Sequence, residues 1–117
     1  MPRTNLDTTL SALADQNRRA VVDLLKKHPR RAGEIADALC LTPPALSRHL
    51  RVLRRGGLIH EEGVEEDARV RIYHLRKEPF DQLRCWLTEV ETFWAGELAA
   101  FRDHVDRTKK RRSDGKR

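Results

Sequence analysis

The sequence predicts a mainly α-helical fold with one small two-stranded β wing, and three observations carry that prediction. Leu46, Leu50 and Leu53 step by four and three behind Thr42-Pro43, the spacing of one helix face behind a capped start. Val70 and Ile72 alternate with Arg69 and Arg71, the period of two that marks a half-buried strand. Phe80, Leu83, Leu87, Val90, Trp94, Leu98, Phe101 and Val105 recur every three or four positions, which makes one long amphipathic helix.

Taken in order, Leu6, Leu10 and Leu13 predict a first helix that starts after Thr4 or Asn5. Asp15 caps a second helix that runs to about Lys27, with Val21, Leu24 and Leu25 on its core face and Pro29 closing it. Arg18 and Arg19 fall in its first turn, where the helix dipole disfavours cations, which suggests another use for them, such as a phosphate or a nearby carboxylate, with a plain solvated pair an equal alternative. The stretch from Arg31 to Leu58 holds two short helices, Ala32–Leu39 and Thr42–Arg55, joined by a tight turn and ended by Gly56-Gly57. Pro43 stands at the first helical position, where a missing N–H costs nothing. Leu58-Ile59-His60 then opens a strand, Gly63–Ala68 reads as a turn, and Arg69–Leu75 returns as the second strand. Tyr73 and Leu75 break the parity of Val70 and Ile72, which implies packing on both sides near the strand's end. Pro79 starts the last helix, and Trp86, Phe93 and Ala100 add a second line seven residues apart. Two short helices, a tight turn and a ribbon make a winged helix-turn-helix, framed here by helices at both ends of the chain.

With 117 residues the chain is one domain, able to bury roughly two-thirds of the surface its unfolded form exposes. The formal net charge is +6, which favours an anionic partner. Lys109–Arg117 holds six bases and one acid, so it contributes +5 and leaves +1 for residues 1–108. The boundary is accordingly expected between a folded body, 1–108, and a basic, disordered tail, 109–117. That body is nearly neutral but segregated: the helix from Thr42 to Arg55 carries four arginines and no acid, and Glu61–Asp67 carries five acids. No apolar run approaches the roughly eighteen residues of a membrane span, and no signal-peptide core follows Met1. The chain is therefore expected in the cytoplasm, without a membrane partner and with Cys40 and Cys85 as reduced thiols.

The fourth helix carries the functional expectation. Opposite its leucines stand Pro44, Ser47, Arg48, Arg51 and Arg55, with His49 beside them. One apolar side and one purely basic side, behind a short helix, suits a reader of the DNA major groove. The guanidinium of Arg48 has the fork geometry for a guanine edge, and the Ser47 hydroxyl can meet several bases. An ordinary amphipathic helix with a solvated basic face is the bland alternative; the cap, the tight turn and the ribbon favour the reader.

Several segments together resemble the ArsR/SmtB family of bacterial winged-helix repressors. They are Leu13-Ala14-Asp15-Gln16-Asn17-Arg18-Arg19, Gly33-Glu34-Ile35-Ala36, Leu46-Ser47-Arg48-His49-Leu50-Arg51-Val52-Leu53, Gly57-Leu58-Ile59 and Tyr73-His74-Leu75. Phe93-Trp94 with Leu98 and Phe101 looks like the branch of that family that lacks metal sites and often represses its own operon. The resemblance implies a homodimer built on the first and last helices, with Leu6, Leu10, Leu87, Val90, Trp94, Leu98 and Phe101 in the interface. It implies that Ser47, Arg48 and His49 face the major groove of an inverted-repeat operator. Thr42 would bind phosphate as well as cap, and Arg51 and Arg55 would reach the backbone. Pro43 and Pro44 stand where the family more often has polar residues and could touch only thymine methyls, which narrows what this helix can read.

Three further features depart from the family pattern. Cys40 stands where glycine is usual, so a residue with a Cβ is expected near positive φ. Glu65, Glu66 and Asp67 at the wing turn would be repelled by phosphate, which makes Arg69 and Arg71 the wing's better DNA contacts. Arg31 replaces a Ser or Thr helix cap.

No metal and no cofactor are expected. The family's Cys-x-Cys ligand positions are Arg31 and Gly33 here, and Asp81, Glu89, His104 and Asp106 lack the spacing of its other site. His60 and His74 face each other across the wing in this reading, an arrangement that is usually a plain cross-strand pair. Cys40 and Cys85 leave a thiol switch open, against the more common role of free cysteines as inert packing. A thiol- or metal-responsive sensor and a winged-helix module that binds protein without an operator are the alternatives. An enzyme is not expected, because there is no glycine-rich phosphate loop and no nucleophile with a plausible base. No small-molecule ligand is evident.

Overall fold

Helix α1 spans Pro2–Leu13 and α2 spans Gln16–Lys27, separated by a two-residue break at Ala14 and Asp15. The computed structural model describes residues 2–64 and 66–115. After α2 come β1 (Arg30–Arg31), α3 (Ala32–Leu39), α4 (Pro43–Arg55), β2 (Ile59–Val64), β3 (Asp67–Leu75) and α5 (Lys77–Gly115). The chain divides into two compact units, Met1–Leu83 and Arg84–Arg117.

The first unit is organised around one aliphatic core. Val21 and Leu25 of α2, Ile35 of α3, Leu46, Leu50 and Leu53 of α4, then Leu58, Ile59 and Tyr73 are buried together with Ala12 and Ala36. Each fully buried leucine or isoleucine is worth about 1.5–3 kcal/mol relative to exposure, so the leucine frame of α4 is a main anchor of the helix. Phe80, near the start of α5, packs at the edge of the same cluster.

The sheet is antiparallel with strand order β1-β3-β2. Arg30 pairs with Tyr73 and Arg31 with Ile72; on the other side Ile59 pairs with Leu75, His60 with His74 and Glu61 with Tyr73. The register breaks between Gly63 and Val64. Tyr73 is buried while Ile72 on the opposite face is half-buried, so the strand is packed on both sides near its end, as the broken parity implied.

The structure differs from the sequence expectations at four places. The sheet has three strands rather than two, because β1 is only two residues long and too short to show any alternation. Helix α1 begins at Pro2 rather than after Thr4 or Asn5, since proline fits the first helical position. The turn expected over Gly63–Ala68 is shorter, because β2 runs on to Val64 and β3 starts at Asp67; Glu65 lies outside the described residues. Helix α5 continues to Gly115, into the segment read as a basic tail, whose last two residues, Lys116 and Arg117, lie outside the described residues.

Candidate nucleic-acid interface

Helix α4 is fixed at both ends by local chemistry. The Thr42 Oγ1 accepts the backbone N–H of Ala45 at 3.3 Å, and Pro43 follows in the first turn. At the other end Gly57 has φ +74°. Its N–H donates to the Arg54 carbonyl and that of Leu58 to the Leu53 carbonyl, both at 3.0 Å. This is a Schellman closure, and it needs a residue that tolerates the left-handed region.

The turn before α4 uses the same device with a less suitable residue. Cys40 has φ 54° and ψ 42°. Its N–H donates to the Asp37 carbonyl at 3.4 Å, and the Leu41 N–H to that of Ala36 at 3.0 Å. A Cβ is thus held in the left-handed region, as the sequence pattern suggested. At the start of α3 Arg31 supplies no capping oxygen, and the Glu34 carboxylate accepts the Arg31 backbone N–H at 3.3 Å instead.

With Leu46, Leu50 and Leu53 buried, the other side of α4 is open. Thr42, Pro43, Pro44, Ser47, Arg48, Arg51 and Arg55 are all exposed. A cleft of about 220 Å³ runs between α3 and α4 and is lined by Gly33, Pro43, Ser47, Arg51 and Arg54 among others. His49 differs from its neighbours: it is half-buried, and its Nδ1 lies 3.9 Å from Asp15 Oδ1. The ring therefore turns toward the start of α2 rather than outward with Ser47 and Arg48.

Sequence reasoning did not assign Arg54 a role. Its Nη1 lies 2.8 Å from Glu61 Oε1, which ties the end of α4 to β2. The Tyr73 phenol is pushed above its ordinary value by burial first, then by the adjacent Glu61 carboxylate, to which it hydrogen-bonds. On β3, Arg69 and Arg71 are exposed. The Arg69 backbone N–H donates to Asp67 Oδ1 at 2.9 Å, so one wing acid is engaged in shaping the turn.

Arg18 and Arg19 have a second use, but with backbone carbonyls as its main partners; the nearby Asp15 carboxylate is 3.9 Å from Arg18. Arg18 Nε donates to the Ala12 carbonyl at 2.7 Å and Arg19 Nη1 to the Leu13 carbonyl at 2.8 Å. They satisfy the open carbonyls at the end of α1, the place where cations are favoured. Asp15 caps α2 as expected, accepting from the Asn17 and Arg18 N–H groups at 2.8 and 3.1 Å.

Of the residues assigned to self-association, Leu6 and Val90 are half-buried, and Leu10, Leu87, Trp94, Leu98 and Phe101 are exposed. In the second unit Trp94, Leu98 and Phe101 are 57%, 61% and 66% exposed, which is high for large apolar side chains. Phe93 and Trp94 meet edge to face at 5.5 Å. Cys40 and Cys85 are both free and exposed, one in each unit.

Residues 15–61, from the α2 cap to β2, match the family described as bacterial regulatory protein, arsR family. The HTH-type transcriptional regulator Rv2034 of Mycobacterium tuberculosis is 33% identical over 100 residues, covering 86% of this chain and 88% of that one. The transcriptional repressor SdpR of Bacillus subtilis is 33% identical over 60 residues, covering 50% of this chain and 67% of its own. Among solved structures, a crystal structure of an ArsR family transcriptional regulator superposes with a TM-score of 0.71 at 31% identity, covering 80% of this chain and 93% of that chain. Fold, open basic helix and relatives agree: the chain belongs to the ArsR family and is a DNA-binding transcriptional regulator, not an enzyme.

Proposed function

We propose that this regulator is a cytoplasmic homodimeric repressor that reads an inverted-repeat operator with two copies of α4, its own operon among its targets. The observation that carries the reading is the division of α4. Three leucines hold one side in the core, and Ser47, Arg48, Arg51 and Arg55 stand free on the other. Ser47 and Arg48 are the base readers, Thr42, Arg51 and Arg55 hold phosphates, and Pro43 and Pro44 contact thymine methyls. Arg69 and Arg71 contact the duplex from the wing. The exposed apolar stripe of the second unit supports self-association, because contiguous wet aromatic surface marks an interaction site. Leu6, Leu10, Leu87, Val90, Trp94, Leu98 and Phe101 form that contact. The name of SdpR as a repressor supports the direction of control. Residues 1–108 form the DNA-binding and dimerisation region, and the basic residues after them add attraction without sequence preference.

Selection of bound duplexes from random DNA tests this directly. The expected result is a palindrome with half-sites one helical turn apart, about 34 Å. Enrichment of an asymmetric single site counts against the dimeric reading. No enrichment even at low salt points to a winged helix that docks on protein instead.

A further inference from the structure

On the wing, His60 and His74 sit directly opposite one another in the β2–β3 register, and Glu62 is two residues along β2 from His60. Side chains alternate across a strand, so the three project from one face of the sheet. The two rings are stacked, with centroids 4.9 Å apart and planes 8° from parallel. Glu62 reaches both rings at once: Oε1 is 3.3 Å from His60 Nε2, and Oε2 is 3.4 Å from His74 Nε2. One donor atom from each residue lies within 4.8 Å of the other two, and among the described residues this is the only such trio of His, Cys, Asp or Glu.

We propose that His60, Glu62 and His74 bind a divalent transition ion of the Zn²⁺ class, with water completing a tetrahedral shell. Zinc bonds of about 2.0–2.2 Å at tetrahedral angles place neighbouring ligand atoms roughly 3.3–3.5 Å apart. Each ring nitrogen lies at that edge length from one Glu62 oxygen, His60 Nε2 from Oε1 and His74 Nε2 from Oε2; with one donor atom per residue the trio lies within 4.8 Å, and the stacked rings turn toward a common point as the ion binds. Two imidazoles and one carboxylate are a borderline donor set, better matched to zinc than to calcium or magnesium. None of the three side chains is closed off, with exposures of 41%, 62% and 28% for His60, Glu62 and His74, so an ion has a path in. The ion binds the Nε2 lone pairs with each neutral ring keeping its proton on Nδ1, bridges the two strands, and changes the local charge from −1 to +1 when both rings start neutral. The three ligands are other residues than Arg31 and Gly33, the positions that the family resemblance points to, although Arg31 and Glu62 flank Ile72 from opposite sides of β3; the site does not depend on the DNA-binding reading.

The test uses the full-length, tag-free chain with its thiols reduced. Zn²⁺ is titrated calorimetrically, and Co²⁺ is added in parallel to report geometry by its visible spectrum. The expected result is one ion per chain. Tetrahedral Co²⁺ absorption without a thiolate charge-transfer band, and a thermal midpoint raised by excess Zn²⁺, are also expected. His74→Ala and Glu62→Gln should each weaken binding by roughly tenfold or more, while His104→Ala and Cys40→Ser leave it intact. Glu62→Gln is the variant least able to disturb folding, and far-ultraviolet circular dichroism checks both. No binding, or binding that survives in His74→Ala and Glu62→Gln, overturns the site.

Discussion

Arg54 at the end of α4 and Glu61 on β2 are joined by a 2.8 Å contact that ties the helix to the wing. The same carboxylate lies against the Tyr73 hydroxyl. Both partners of the ion pair are partly exposed, so Glu61→Gln should cost no more than about 1 kcal/mol of stability in urea denaturation. It should also lower the Tyr73 titration toward the ordinary phenol range without fully restoring it, because burial is the larger cause. With one tyrosine in the chain, tyrosinate absorbance reads that group alone. An unmoved titration would remove Glu61 from the account.

Replacing Cys40 by glycine should stabilise the protein. The left-handed region costs a residue with a Cβ on the order of 1 kcal/mol, and the Cys40 side chain is exposed, so little packing is lost. Glycine gives back part of that gain as unfolded-state entropy, leaving a net increase of about 0.5 kcal/mol. The urea midpoint should rise with an unchanged slope. A lower midpoint would mean that the thiol contributes packing.

The Asp15 carboxyl is held below its ordinary value of 3.8, chiefly by the Arg18 backbone N–H. The Asn17 N–H and the charges of His49 and Arg18 act the same way, against an opposing effect of burial. The folded form thus favours the ionised acid. Its contribution is complete above about pH 4 and is lost as the pH falls through the depressed folded value. Asp15→Asn keeps a capping oxygen but cannot titrate. Stability curves of the two proteins should separate above about pH 4 and draw together below it. Curves that stay parallel through the acid range would contradict the assignment.

Arg48→Ala and Arg51→Ala should fail differently. Loss of a base-reading arginine costs about 1–3 kcal/mol on the operator and spares random DNA. Loss of a phosphate contact weakens binding to every sequence and lowers the salt slope by about one. Binding titrations on both duplexes at several salt concentrations separate the two. Equal losses on both duplexes for Arg48→Ala would end its role as a reader.

Trp94→Asp should give a folded monomer. It places a charge in the middle of the exposed stripe, where a partner helix would have to bury it. Sedimentation should show halved mass with unchanged helicity, and operator binding should weaken because the two half-sites are no longer held together. An unchanged mass would place the contact elsewhere.

Much of the helix-turn-helix was legible because its signals are local. The Thr42 cap, Pro43, the leucine frame and the paired glycines act over one or two turns, and the structure has all of them. What the sequence concealed depends on contacts between distant segments. Strand β1 exists only because Arg30 and Arg31 find β3. The inward turn of His49 depends on Asp15, more than thirty positions earlier. Glu62 reads as one acid among five on an acidic wing, and only the register of β2 against β3 brings it to both histidines. Arg18 and Arg19 were flagged by a cost, but their partners lie in the preceding helix, which spacing alone does not reveal.

The bonds of Arg18 have a mechanical corollary. Its guanidinium grips the Ala12 carbonyl of α1, and its backbone N–H holds Asp15, the same carboxylate that stands across from His49 on α4. A shift of α1 along its axis would strain the Arg18 and Asp15 bonds first and would reach α4 through the 3.9 Å approach of His49. A displacement of α1 is thereby directed at the face of α4 proposed to meet the duplex.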